Sequence, residues 1–462
     1  MLRDFMRRPW WPLCTLLVCL SAFASHAAAS SATLLLEEPY GKLGFFTATG
    51  HSAVYLSGVC ADSPLVLRRC GPEELGIVLS RYDGVGGYDW IAIPLIPYLY
   101  AVERPEDVPL FADAKMVAFL RDRYRRKYLE DVAPDVKNGE TPGGNWYELV
   151  GSSYDRTVYG FEIETTAAQD EALIRKYNSA ENRSHFHTVS RNCADFAKDV
   201  INFYYPKTLH RSVIADVGIT TPKQMAKLLV RFSARHPEVQ FSRLVIPQVP
   251  GSVARSTAVH GVVESFFKSK KYIVPSAVVS PIFAGCVFAV YLGTGSGRFD
   301  PARNALVFNP GNEPELPLGK EDRRAYQKEL EHLLAGTSPD PPRLHKEKTW
   351  EHVLAKANPD FDGQGRPVLQ LQIGEQTVSV GDSVNNILSS GSSELAQQLL
   401  EARLQAELRR GAPPKVSQSE MARDWRLLQA ARNDRDTQVA AGPPQRSPEV
   451  SSRLERNDGN RP

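Results

Sequence analysis

The sequence predicts an α+β fold, and three observations carry the prediction. Short β-prone runs crowd residues 31–105, separated by Gly-rich turns. Helical patterns then alternate with single strands up to about residue 233. Near residue 246 the composition changes, which closes a first domain at about 31–245.

The β-prone runs are 43–48, 51–57, 64–69, 76–81 and 89–95, the last ended by Pro94 and Pro97. Residues 110–132 read as a helix with Val117, Phe119, Leu120 and Tyr124 among many charges. Residues 158–164 make a strand and 166–178 a helix capped by Thr165 or Thr166. A strand is expected at 185–190, and a helix at 193–204 closed by Pro206. Residues 222–233 form a further helix, with Thr221 as cap and Pro222 at its first position.

The linker, residues 246–300, contains a run at 272–297 without a charged residue. Its section 272–292 is long enough for one membrane helix, although Pro275 and Pro281 interrupt it. The alternative is a buried hydrophobic hairpin. The flanking Lys268, Lys270 and Lys271 sit on the exported side if the leader is cleaved, against the positive-inside tendency. A smaller mixed, charged C-terminal region spans 301–433, with helices at 320–335 and 393–410 and a β-hairpin turning at Gly374-Glu375. Residues 434–462 are polar and read as a disordered tail.

The first residues read as a signal peptide at 1–29: Arg3, Arg7 and Arg8, then an apolar stretch at 10–24, then small residues at 25–30. Cleavage after Ala27 or Ala29 would place the mature chain outside the cytoplasmic membrane, in the periplasm or cell envelope. In an oxidising compartment Cys60 and Cys70 are expected to form a disulfide across a hairpin, with two buried free thiols as the alternative.

Of 462 residues, Lys and Arg number 55 and Asp and Glu 53, so the near-neutral chain offers no electrostatic case for a nucleic-acid partner. Six cysteines are too few for a disulfide scaffold. No Cys/His spacing suits zinc, and Gly-rich residues 293–297 lack the setting of a phosphate loop, so no cofactor and no metal are expected. Asn182-Arg183-Ser184 is a glycosylation sequon, meaningful only in a eukaryotic secretory route.

The phrase 190–196, SRNCADF, carries the candidate chemistry: a strand ends and a helix begins at Cys193. Amides at a helix start favour a thiolate, so the position suits a nucleophile with a lowered pKa. A thiolate needs an imidazole, and His51, opening a strand after Gly50, is the first candidate. His185 and His187, on the strand leading to Cys193, are the alternatives.

The strand GHSAVYL at 50–56, followed much later by NCADF at a helix start, resembles the circularly permuted papain-like superfamily. That group includes NlpC-type cell-wall peptidases and lecithin:retinol acyltransferase-like proteins. The resemblance covers about residues 40–235. It implies a permuted papain-like domain, with an antiparallel sheet packed on helices, ahead of the hydrophobic segment and the C-terminal region. It implies a thiol hydrolase or acyltransferase with Cys193 as nucleophile and His51 as base, its oxyanion held by the Cys193 amide and the Asn192 side chain. A third group should orient the histidine from a neighbouring strand, where Arg68, Glu74 and Ser80 lie in range. The implied substrate is a peptidoglycan peptide or an acylated lipid, and the alternative function is a non-catalytic, membrane-associated interaction module.

Overall fold

The computed structural model describes residues 30–40, 49–109, 112–249, 256–335, 356–373 and 376–381, with isolated positions 421 and 425. The expected leader, the strand at 43–48, the helix at 393–410 and the tail lie outside the described residues.

The chain is α+β. Among the described residues its main sheet has seven strands, in the order β6-β5-β2-β1-β7-β8-β9. These are β1 (Ser30–Glu37), β2 (His51–Leu56), β5 (Ile77–Ser80), β6 (Ile91–Pro94), β7 (Val158–Thr165), β8 (Ser242–Ile246) and β9 (Leu306–Val307). Every neighbouring pair is antiparallel except β8 with β9.

The central strand β1 is the element that period-two patterning misses. All eight of its residues are buried. A strand covered on both faces gains nothing from alternation and reads as a continuous apolar run, here Leu34-Leu35-Leu36. Leu35 packs with Ala53, Val78, Ile93, Tyr98 and Leu120 on one face. Leu34 and Leu36 pack with Val54, Leu56, Leu79 and Phe161 on the other.

The first face is covered by α1 (Leu95–Tyr100), α2 (Ala114–Tyr128) and the short α3 (Ser152–Asp155). The helix α4 (Ala167–Ser179) begins at a Thr166–Gln169 capping box. The second face is covered by α5 (Cys193–Tyr204) and α7 (Pro222–Ser233), with the short α6 (Val213–Asp216) between them. In α5 the buried residues Ala194, Ala197, Val200, Ile201 and Tyr204 form one apolar stripe, which fixes the helix rotation on the sheet.

The strands β3 (Val59–Ser63) and β4 (Val66–Arg69) form a separate two-stranded hairpin, closed by a Cys60–Cys70 disulfide. The residues expected as strand 64–69 are thus split between a turn and β4. The strand expected at 185–190 does not form. The segment is a turn with one isolated bridge, His187 to Arg191. The turn is closed by its own backbone, His187 O accepting from the Ser190 and Arg191 N–H groups, and just before it Asn182 Oδ1 accepts from the Asp89 and Trp90 N–H groups while its Nδ2 donates to Trp90 O. Those bonds use the sequon amide, so the sequon is a structural anchor.

The apolar run at 272–297 is neither a membrane-spanning helix nor a buried hairpin. It folds as α9 (Lys270–Val279) and α10 (Pro281–Gly293), preceded by α8 (Val262–Lys268), and no residue of α9 or α10 is buried. Among the described residues no helix is long and apolar enough to cross a membrane. Farther on lie α11 (Lys320–Ala335) and a three-stranded sheet of β10 (Asn358–Phe361), β11 (Pro367–Ile373) and β12 (Gln376–Gly381). Ile373 pairs with Gln376 at the end of the β11–β12 ladder, and the expected turn at Gly374-Glu375 lies outside the described residues.

Candidate active site

Gly50 explains why a glycine precedes the strand-opening histidine. Its φ is +70°, and a Cβ there would sit 2.1 Å from the Glu37 carbonyl oxygen. Only glycine lets the chain turn this tightly onto the end of β1. It enters β2 with His51 directly opposite Glu37.

His51 lies on the face covered by α1. Its ring stacks on Tyr82, with centroids 4.4 Å apart and planes 10° from parallel. Tyr82 is fixed in turn, donating to Glu148 O and contacting the Tyr98 hydroxyl. Beside them the Glu37 carboxylate accepts from Tyr98 and from Ser152, and lies 3.3 Å from the Arg156 guanidinium. Burial pushes the His51 pKa down to about 3, assisted by the Arg156 charge and opposed by Glu148. The imidazole is therefore neutral at ordinary pH. Its Nε2 is buried without a hydrogen-bond partner.

Cys193 stands at the first position of α5, across the sheet. Asn192 caps the helix: its Oδ1 accepts from Asp195 N, and its Nδ2 donates to Thr188 O and Thr220 O. Both amide hydrogens are used, so Asn192 positions the cysteine and has none to give an oxyanion. Asp195 is held from the far side by Thr220, Arg211 and Lys198. The Cys193 and Ala194 N–H groups fall in the first turn, where a helix supplies no carbonyl partner.

The sulfur faces β2. The N–H and hydroxyl of Ser52 and the N–H of Ala194 favour its thiolate, while burial and the Glu37 carboxylate oppose it. Burial dominates and pushes the thiol pKa up. The helix start alone implies the opposite shift; desolvation of the sulfur outweighs the amide dipoles. Side chains alternate along a strand, so Ser52 points toward α5 and His51 away from it. Cys193 thus meets the residue next to His51, at the end of β2 where Glu37 also lies. Among the described residues no hydrogen bond joins the thiol to the imidazole.

His185 and His187 lie on the exposed turn, tied to Arg183 O and Ser190 respectively. Arg68 and Glu74 are bound to each other on the exposed β3–β4 hairpin. Ser80 is buried on β5, its hydroxyl unpartnered, and alternation puts it on the His51 face. Sequence reasoning missed Tyr82, Glu37 and Arg156. The signal for two of them is an acidic residue ending the apolar strand β1 and an arginine just ahead of β7, with nothing in the sequence to say that these strands pair. No family model, curated protein or solved structure matches this chain.

Proposed function

We propose that the chain is an exported thiol hydrolase or acyltransferase of the permuted papain-like kind, acting on amide or ester bonds of the cell envelope. The observation that carries this reading is the buried, partnerless Nε2 of His51 beside the strand residue whose N–H faces the Cys193 sulfur. A buried ring nitrogen left without a partner costs stability and asks for a purpose. A proton taken from the thiol supplies one. The order His-strand then Cys-helix, with α5 packed on β2, also supports the reading.

Both groups start neutral, so no thiolate–imidazolium pair stands ready. The thiol loses its proton to His51 as sulfur bonds to the substrate carbonyl carbon, and the oxyanion meets the Cys193 and Ala194 N–H groups. The bond to the amine or alcohol then breaks, and that group leaves with the His51 proton. Water or an acyl acceptor attacks the thioester next and frees Cys193. For this transfer the His51 ring must leave Tyr82 and turn around the end of β2 to the α5 side when substrate binds, because at rest it faces away from the sulfur. A peptidoglycan stem peptide and an acylated lipid both present the required carbonyl.

A second reading, a non-catalytic membrane-associated interaction module, is favoured by the His51 ring facing away from α5. The test uses a chain with Cys14, Cys19 and Cys286 changed to Ser, leaving Cys193 as the free thiol. Hydrolysis of an activated acyl ester that is lost in Cys193→Ala and slows by about tenfold or more in His51→Ala supports the enzyme. No hydrolysis above that of the Cys193→Ala chain supports the module.

A further inference from the structure

Among the described residues the α9–α10 hairpin carries a large exposed apolar surface, although Phe266 and Phe267 of α8 pack on Phe283 and Phe288 of α10. Val278, Val279 and Ile282, flanking its tip, are 79%, 85% and 82% exposed. Val274, Phe283, Phe288 and Leu292 are exposed along its two legs. An exposed apolar patch of this kind marks an interaction site. Among the apolar residues, exposure is greatest at the tip.

The base is built for an interface with water. Between Glu264 and Asp300 there is no acidic residue, while Lys268, Lys270, Lys271 and Arg298 are all cationic. Lys270 and Lys271 are exposed at the foot of α9. Tyr272 and Tyr291, also at the foot, stack on Phe266 and Phe267 of α8. Lysines and tyrosines at one level with uncharged residues beyond them form the pattern of a membrane–water boundary.

Length and hydrogen bonding fit one leaflet. Helices of 10 and 13 residues reach about 15 and 20 Å, against a hydrocarbon core of about 30 Å. The turn satisfies much of its own backbone: Ser280 N–H donates to Ser276 O, Phe283 N–H donates to Ser280 Oγ, and Pro281 has no N–H. The mount is rigid, because Lys223 of α7 bonds Glu264 of α8 at 2.7 Å and Asp216 accepts from Val262 N.

We propose that the α9–α10 hairpin is a wedge that dips into one leaflet of an anionic phospholipid bilayer without crossing it, the lysines at its foot meeting the headgroup phosphates. This holds whether or not Cys193 is catalytic.

The test places a reporter in the wedge. Six cysteines are present and Cys60 and Cys70 are bonded, so changing Cys14, Cys19 and Cys193 to Ser leaves Cys286, exposed on α10, as the free thiol. The full chain, labelled at Cys286 with an environment-sensitive fluorophore, is mixed with vesicles of phosphatidylglycerol and phosphatidylethanolamine. Nitroxides on the acyl chains should quench the label. A Val279→Asp/Ile282→Asp chain should lose the quenching by about tenfold or more in vesicle titration, with its melting curve unchanged. A label that stays in water while the chain floats would show that residues 10–24 alone hold the vesicle and would overturn the proposal. Self-association without vesicles, abolished by the same double change, would overturn it in favour of a second copy.

Discussion

The ring of His51 lies flat against Tyr82 at 4.4 Å, on the side of the sheet away from the helix that carries Cys193. The histidine is therefore fixed by an aromatic neighbour and buried charges, with one nitrogen unspent.

Its pKa, down to about 3 from an ordinary 6.5, makes a pH prediction with a definite sign. Below pH 6.5 the unfolded chain takes up a proton that folded His51 refuses, so acid favours unfolding. Between pH 6.5 and about 3 this site alone costs up to about 1.4 kcal/mol per pH unit. The half-buried His260, lowered to about 4, acts in the same direction. Urea midpoints measured from pH 7 down to 4 should fall more steeply in the parent than in His51→Gln. Parallel slopes would contradict a buried neutral imidazole.

Gly50→Ala should destabilise by about 1–3 kcal/mol, because a side chain at φ +70° meets the Glu37 carbonyl. The same change should alter alkylation of Cys193, since it displaces the strand end that the sulfur faces. Thermal melting and labelling rate on one sample check both.

Asn192→Ala removes the cap of α5 and leaves the Thr188 and Thr220 carbonyls without their donor. A loss of about 3 kcal/mol is expected from cap and carbonyls together. Asn192→Asp keeps the cap but not the two donated bonds, so it should fall between. A denaturation series ranks the three chains.

Reducing the Cys60–Cys70 disulfide, or changing both cysteines to Ser, should cost about 3 kcal/mol by the loop-closure relation for a separation of 10 residues. The Tm with and without reductant reads it. No shift would mean that β3–β4 frays independently of the sheet.

Processing of the leader is checked by the mass of the N-terminal peptide from an exporting host. Cleavage after Ala27 or Ala29 leaves β1 whole, because that strand starts at Ser30. A mature end inside residues 31–37 would cut the central strand and refute the proposed leader.

Local signals made α5, α7 and β2 legible. The Thr221-Pro222 start, the apolar stripe from Ala194 to Tyr204 and the Gly50-His51 entry are each written within a few residues. What stayed illegible depends on distant partners. The segment 185–190 has strand-like residues, yet His187 O accepts from the Ser190 and Arg191 N–H groups and closes a turn there. The raised thiol pKa is likewise a product of burial, which helix position does not reveal. Glu37, Tyr82 and Arg156 meet only after three separate segments have packed.

The placement of β1 between β2 and β7 has a kinetic consequence. Its second partner begins at Val158, so the innermost strand waits, half-paired, while more than a hundred residues emerge. Such distant closure is slow to nucleate. The chain stays threadable while its first third is made and commits to its native form only once its centre has been claimed from both sides.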